Sequence, residues 1–92
     1  MMDKSEFRVT PQRFELARSG HTAFIDYRQR NGVLDLLHTE VPAALRGGGV
    51  GSELVRAALD WARDQKLKIL PSCPFVAEWL ERHPQYADLN AE

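Results

Sequence analysis

Apolar residues along this chain recur at every second position up to about residue 42, and at helical spacing of roughly 3.6 from about residue 50. Phe7 and Val9 alternate with Arg8 and Thr10, and Phe14 and Leu16 with Glu15 and Ala17. Two short strands are predicted there, parted by a turn at Pro11-Gln12, with polar residues 1–6 frayed ahead of them. The second ends at Ser19-Gly20. Residues 21–30 form a third strand, with Ala23, Ile25 and Tyr27 on one face and Phe24, Asp26 and Arg28 on the other. Asn31-Gly32 is the strongest short hairpin signal and predicts a type I′ turn. The return strand is 33–41. Its faces are Val33, Asp35, Leu37, Thr39 and Val41 against Leu34, Leu36, His38 and Glu40. Leucine on both faces predicts an inner strand covered on both sides.

Pro42 stops that strand, and 43–49 is a loop. Over 50–66, Leu54, Val55, Ala58, Leu59, Trp61 and Ala62 form one broad apolar stripe of an amphipathic helix. Residues 67–70 are a short strand. Strand, loop, helix and strand at these lengths predict a right-handed βαβ crossover with the two strands parallel. Pro74 suits the first turn of a second helix capped by Ser72 or Cys73, with Phe75, Val76, Trp79 and Leu80 on its buried face. His83-Pro84 ends it, and Tyr86 and Leu89 can pin the tail. The fold class is α/β: a mixed sheet, antiparallel strands first, then a βαβ unit and a terminal helix.

Length and charge narrow the field. A chain of 92 residues is expected to pack as one domain, 1–92. A formal charge of −1 offers no electrostatic case for nucleic acid or an anionic membrane as partner. No apolar run approaches the ~20 residues of a membrane span. A single cysteine excludes an internal disulfide and fits a reducing, cytoplasmic setting. No metal is expected.

The chemistry centres on 45–52, Leu45-Arg46-Gly47-Gly48-Gly49-Val50-Gly51-Ser52. Glycines let backbone amides turn inward, and a helix starting there adds free N–H groups and a positive dipole end. Such a loop binds anions, phosphate above all. A nucleotide-hydrolysing P-loop needs a lysine between Gly51 and Ser52 and a longer loop. A dinucleotide-binding fold needs its glycine turn after the first strand of a long parallel sheet. Neither fits.

Arg46-Gly47-Gly48-Gly49-Val50-Gly51 matches Arg/Gln-x-x-Gly-x-Gly/Ala and resembles the acetyl-CoA signature of the GNAT superfamily of N-acetyltransferases. Glu40-Val41-Pro42, Ala57-Ala58-Leu59-Asp60-Trp61-Ala62, Pro71-Ser72-Cys73-Pro74-Phe75-Val76 and His83-Pro84-Gln85-Tyr86-Ala87-Asp88-Leu89 resemble its minimal, single-domain branch. The likeness runs over roughly 7–90, nearly the whole chain. It implies a GNAT-like sheet and acetyl-CoA as donor. It also implies that Val41, Arg46, Gly47, Gly48, Gly49, Val50, Gly51 and Ser52 contact the coenzyme, and that the strands flanking the helix splay apart to admit its pantetheine arm. The helical pair that ordinary members carry between their first two strands, and their closing strands, are not found in this sequence. Those parts usually build the acceptor site.

Transfer of acetyl from a thioester to an amine requires a base for the amine and a donor for the carbonyl oxygen. A backbone N–H where the strand is interrupted at Val41 can supply the donor. His38 is the leading candidate for the base, because histidine is the side-chain type suited to proton exchange near neutral pH; its other reading is a histidine bonded to a carbonyl. Cys73, at a helix start, is either an activated thiol, a lining of the thioester pocket, or a small buried hydrophobe. The minimal branch places a histidine and an active-site cysteine at these positions. Glu40 is an alternative base or a solvated charge. Arg46 meets a coenzyme phosphate or is a surface arginine. The expected activity is acetyl transfer to an amine, a protein lysine or a small amine. The alternative is a coenzyme-A-binding module with little turnover.

Overall fold

The computed structural model describes residues 5–92. Of the segment expected to fray, residues 1–4 lie outside that range, while Glu6 already belongs to a strand. The strands are β1 (Glu6–Val9), β2 (Arg13–Arg18), β3 (His21–Arg30), β4 (Val33–Glu40) and β5 (Lys68–Leu70). They form one sheet in the order β1-β2-β3-β4-β5, antiparallel through β4, with β5 parallel to β4. Ser19 and Gly20, and Asn31 and Gly32, all carry positive φ near 52–78°, as type I′ hairpin turns require. Helix α1 (Val50–Asp64) is the crossover between β4 and β5, and α2 (Pro74–Arg82) follows β5. The crossover helix thus stops two residues before the expected 66, where Lys66 turns left-handed at φ 60°.

Both helices lie on one face of the sheet. Phe14 stacks on Tyr27 with ring centroids 4.5 Å apart and meets Trp61 of α1 edge-on at 5.6 Å. Phe14, Ile25, Leu34, Leu36, Leu54, Leu59 and Ile69 are fully buried in the layer between. The tail is a 3-10 turn (Pro84–Leu89) in which Tyr86 and Leu89 are buried. It is held by Arg63 to Asp88 at 2.8 Å and by a parallel bridge from Ile69 to Asn90.

Among the described residues the opposite face has no helix over it, so the expectation of an inner strand covered on both sides is corrected. β4 is inner in order only. The expected partition of its faces changes too. Asp26 pairs with His38, but Tyr27 pairs with Leu36, so Leu37 is an extra residue, a β-bulge. Ladder partners project to the same face. Leu34 and Leu36 therefore share the helix face with Tyr27, and Thr39 shares it with Ile25. His38 and Glu40 share the open face with Asp26 and Phe24. His38 stands with Glu40 as expected, but not with Leu36. Leu37 is left 40% exposed.

Candidate active site

The site begins where β4 loses one neighbour. β5 pairs with β4 only from Val33–Lys68 to Asp35–Leu70. One further bond follows, from the Cys73 amide to the Leu36 carbonyl at 2.8 Å. Beyond it the chain turns into α2, and among the described residues no strand lies on the β5 side of β4 from residue 37 on. Val41, expected as the last strand residue, lies one residue past β4.

The glycine loop closes the far side of this gap. After a 3-10 turn (Ala43–Leu45), Gly47 and Gly49 take φ of 86° and 78°, conformations costly for any residue with a Cβ. Gly49 caps α1 without a side-chain bond, and the first helical hydrogen bond runs from the Glu53 amide to the Gly49 carbonyl at 3.0 Å. The amides of Val50, Gly51 and Ser52 precede that bond and lie at the positive end of a helix of 15 residues. Arg46 bends back to donate from Nε to the Val41 carbonyl at 3.0 Å.

Together these residues bound a cleft of about 550 Å³ lined by Thr39, Glu40, Val41, Leu45, Arg46, Gly47, Gly49, Val50, Gly51, Ser52 and Phe75. That is the size of a ligand site rather than a packing defect. Of the residues expected to hold the coenzyme, only Gly48 is not among the lining.

The two expected catalytic residues are placed differently. His38 sits on the open face, its side chain 59% exposed, with Nε2 3.0 Å from Glu40 Oε1. Because an ionised carboxylate only accepts, this contact places the proton on Nε2 and leaves Nδ1 as the acceptor nitrogen. Glu40 connects this pair to the cleft. Cys73 is on the other side of β4, 4% exposed, and its thiol donates to Thr39 Oγ1 at 3.4 Å. It caps α2 by backbone position, with no side-chain cap bond. The structure brings Cys73 to Thr39 and His38 to Glu40.

Three residues enter the site that sequence reasoning assigned elsewhere. Phe75, expected on the buried face of α2, is 42% exposed and lines the cleft. Its ring lies so close over Gly51 that a Cβ there would stand 2.8 Å from Phe75 Cζ. Thr39 carries no signal in the sequence beyond a strand position; the bulge at Leu37 turns it toward the gap. Trp79, read as core, is buried but donates its indole N–H to Ser52 Oγ at 2.7 Å, tying α2 to the first turn of α1. The polar atom of a tryptophan at core spacing was the available signal, since a buried indole N–H needs an acceptor.

The family model described as GCN5-related N-acetyl-transferase matches residues 13–89. Protein NATD1 of Gallus gallus and of Homo sapiens are each 38% identical over 52 residues, 56% of this chain and 47% and 46% of theirs. The match thus spans about half the length of these relatives. A solution structure of a GCN5-like protein from Staphylococcus aureus superposes with a TM-score of 0.73 at 33% identity, over 92% of this chain and 86% of that one. The mixed five-stranded sheet with its crossover helix is therefore a GNAT fold.

Proposed function

This chain belongs to the GCN5-related N-acetyltransferase family, and from that premise we propose that it transfers an acetyl group from acetyl-coenzyme A to an amine. The observation that carries the reading is the run of amides at Val50, Gly51 and Ser52, which have no backbone acceptor among the described residues and lie at a cleft that opens at the parting of β4 and β5. The amides and Arg46 take the pyrophosphate, with charge-assisted hydrogen bonds from backbone and guanidinium. The gap beside Thr39 and Val41 takes the pantetheine arm. A free backbone N–H at this interrupted edge polarises the thioester carbonyl.

The amine arrives from the open face of the sheet. Glu40 holds His38 through Nε2, so Nδ1 receives the proton as the amine nitrogen attacks the acetyl carbon. The C–N bond forms, the C–S bond breaks, the coenzyme leaves as thiolate, and the amine's proton passes by way of His38 to that sulfur. Cys73 stands behind Thr39 and supports that wall of the pocket. Cys73 is buried, held against Thr39 Oγ1 at 3.4 Å, and is not part of the cleft lining, which favours direct transfer over an acetylated cysteine. The acceptor is a protein lysine or a small amine.

One observation supports a second reading, a coenzyme-A-binding module with little turnover: His38 and Glu40 stand on a sheet face that no helix covers among the described residues. The test is acetyl-CoA consumption against a panel of amines and lysine peptides. Turnover is expected to fall about 100-fold in His38→Ala, the usual scale for loss of a general base, and to survive largely intact in Cys73→Ala. Coenzyme binding with no His38-dependent turnover overturns the enzymatic reading and leaves the binding module.

A further inference from the structure

A second groove adjoins the cleft. It is lined by Ser52, Phe75, Glu78, Trp79, Arg82 and His83 and encloses about 150 Å³. That is well below the ~300 Å³ at which ligand pockets begin. Ser52 and Phe75 line both hollows, so the groove is an extension of the larger cleft, suited to the extremity of a ligand already held there.

Its floor is rigid. Trp79 donates to Ser52 Oγ at 2.7 Å, and the His83 ring stacks on the Trp79 ring with centroids 3.7 Å apart and planes 10° apart. His83 Nδ1 lies 2.7 Å from the Trp79 carbonyl, which can only accept, so Nδ1 carries the proton and Nε2 is the free nitrogen. Arg82 stands three residues beyond Trp79, about 4.5 Å further along the helix axis. Its only ion pair among the described residues is to Glu78 at 3.7 Å, with both side chains more than half exposed. A long, solvated pair of this kind is weak, and a phosphate offers the guanidinium a better-matched, two-pronged acceptor. Arg56 adds a second cation 5.5 Å over the Trp79 ring.

We propose that this groove receives the 3′-phosphorylated ribose of coenzyme A, with Arg82 as the residue that recognises the 3′-phosphate. The inference rests on the coenzyme reading above and deepens it. A coenzyme gripped at its pyrophosphate by the amides of residues 50–52 sends its acyl arm into the β4–β5 gap. Its nucleotide end must leave another way, and the groove past Ser52 is continuous with the grip. Glu78 competes with the phosphate for Arg82.

Titration of the full chain with coenzyme A and with 3′-dephospho-coenzyme A, at one fixed ionic strength, tests this. The wild type is expected to prefer the 3′-phosphorylated form about fivefold, the scale of one exposed ion pair. Arg82→Gln removes that preference by weakening coenzyme A alone, and Glu78→Gln widens it. Both side chains are exposed, so neither change threatens folding. A wild type that binds the two forms equally, or an Arg82→Gln variant that keeps the wild-type ratio, overturns the subsite while the coenzyme reading stands. A wild type that binds neither form overturns the coenzyme reading, and the subsite with it.

Discussion

The two halves of β4 are built on the same strand and held in different ways. From Val33 to Asp35 the strand has a ladder on each side, the Leu36 carbonyl takes the Cys73 amide, and Leu34 and Leu36 are fully buried. From His38 to Glu40 it has a ladder on one side only, and His38 and Glu40 face solvent. The bulge at Leu37 divides them. The first half contributes stability because its backbone and side chains are both satisfied by neighbours. The second is the half to which the proposed chemistry is assigned, because β5 does not extend beside it and the His38–Glu40 pair is exposed.

The comparison is tested most strongly by adjacent leucines. Leu36→Ala is expected to cost about 3 kcal/mol, the usual scale for a buried leucine, lowering Tm by roughly 15 °C in a domain of this size. Leu37→Ser, one residue on, should stay within about 0.5 kcal/mol. Equal losses in thermal unfolding would mean that the bulge does not divide the strand. Next in size, His38→Ala should leave the melting temperature unchanged while turnover drops about 100-fold, a separation between stability and activity that Leu36→Ala cannot produce.

A smaller effect is expected at the cleft. The Cβ of Gly51→Ala meets Phe75 Cζ at 2.8 Å and Val41 Cγ2 at 3.4 Å, so it displaces the ring and narrows the entrance. Affinity for coenzyme A should fall about tenfold by calorimetry, while α1 itself gains from alanine's better helix propensity, up to about 1 kcal/mol. Unchanged affinity would place the coenzyme elsewhere.

The least effect is expected far from either half. The Arg63 guanidinium hydrogen-bonds Asp88 and holds its carboxyl below the ordinary carboxylate range. A depressed folded value contributes stability that is complete above the unfolded value and is lost as pH falls through the folded one. Asp88→Asn should flatten the acid limb of a plot of Tm against pH slightly and leave neutral pH turnover alone.

Much of this molecule was legible before any fold was known, because the signals are local. Alternation placed β2 and β3, Asn31-Gly32 placed the hairpin, and the apolar stripe from Leu54 to Ala62 placed α1. The glycines at 47 and 49 marked a loop, which takes left-handed backbone at both. All of these depend on a residue and its near neighbours, where steric limits on φ and the periods of strand and helix act directly.

What the sequence alone could not decide are matters of pairing and of distant contact. The bulge is a mismatch in count between Tyr27–Leu36 and Asp26–His38, carried by neither strand alone, and it sets the face on which His38 stands. Phe75 has the spacing of a core residue, and only the approach of α2 to Gly51 turns it into a wall of the cleft. The Trp79 indole finds Ser52 across 27 positions of chain. Local sequence determined which elements form and what chemistry they carry. The register between β3 and β4 and the seating of α2 on α1 decided which groups meet, because those are energies of contact between segments that no single segment encodes.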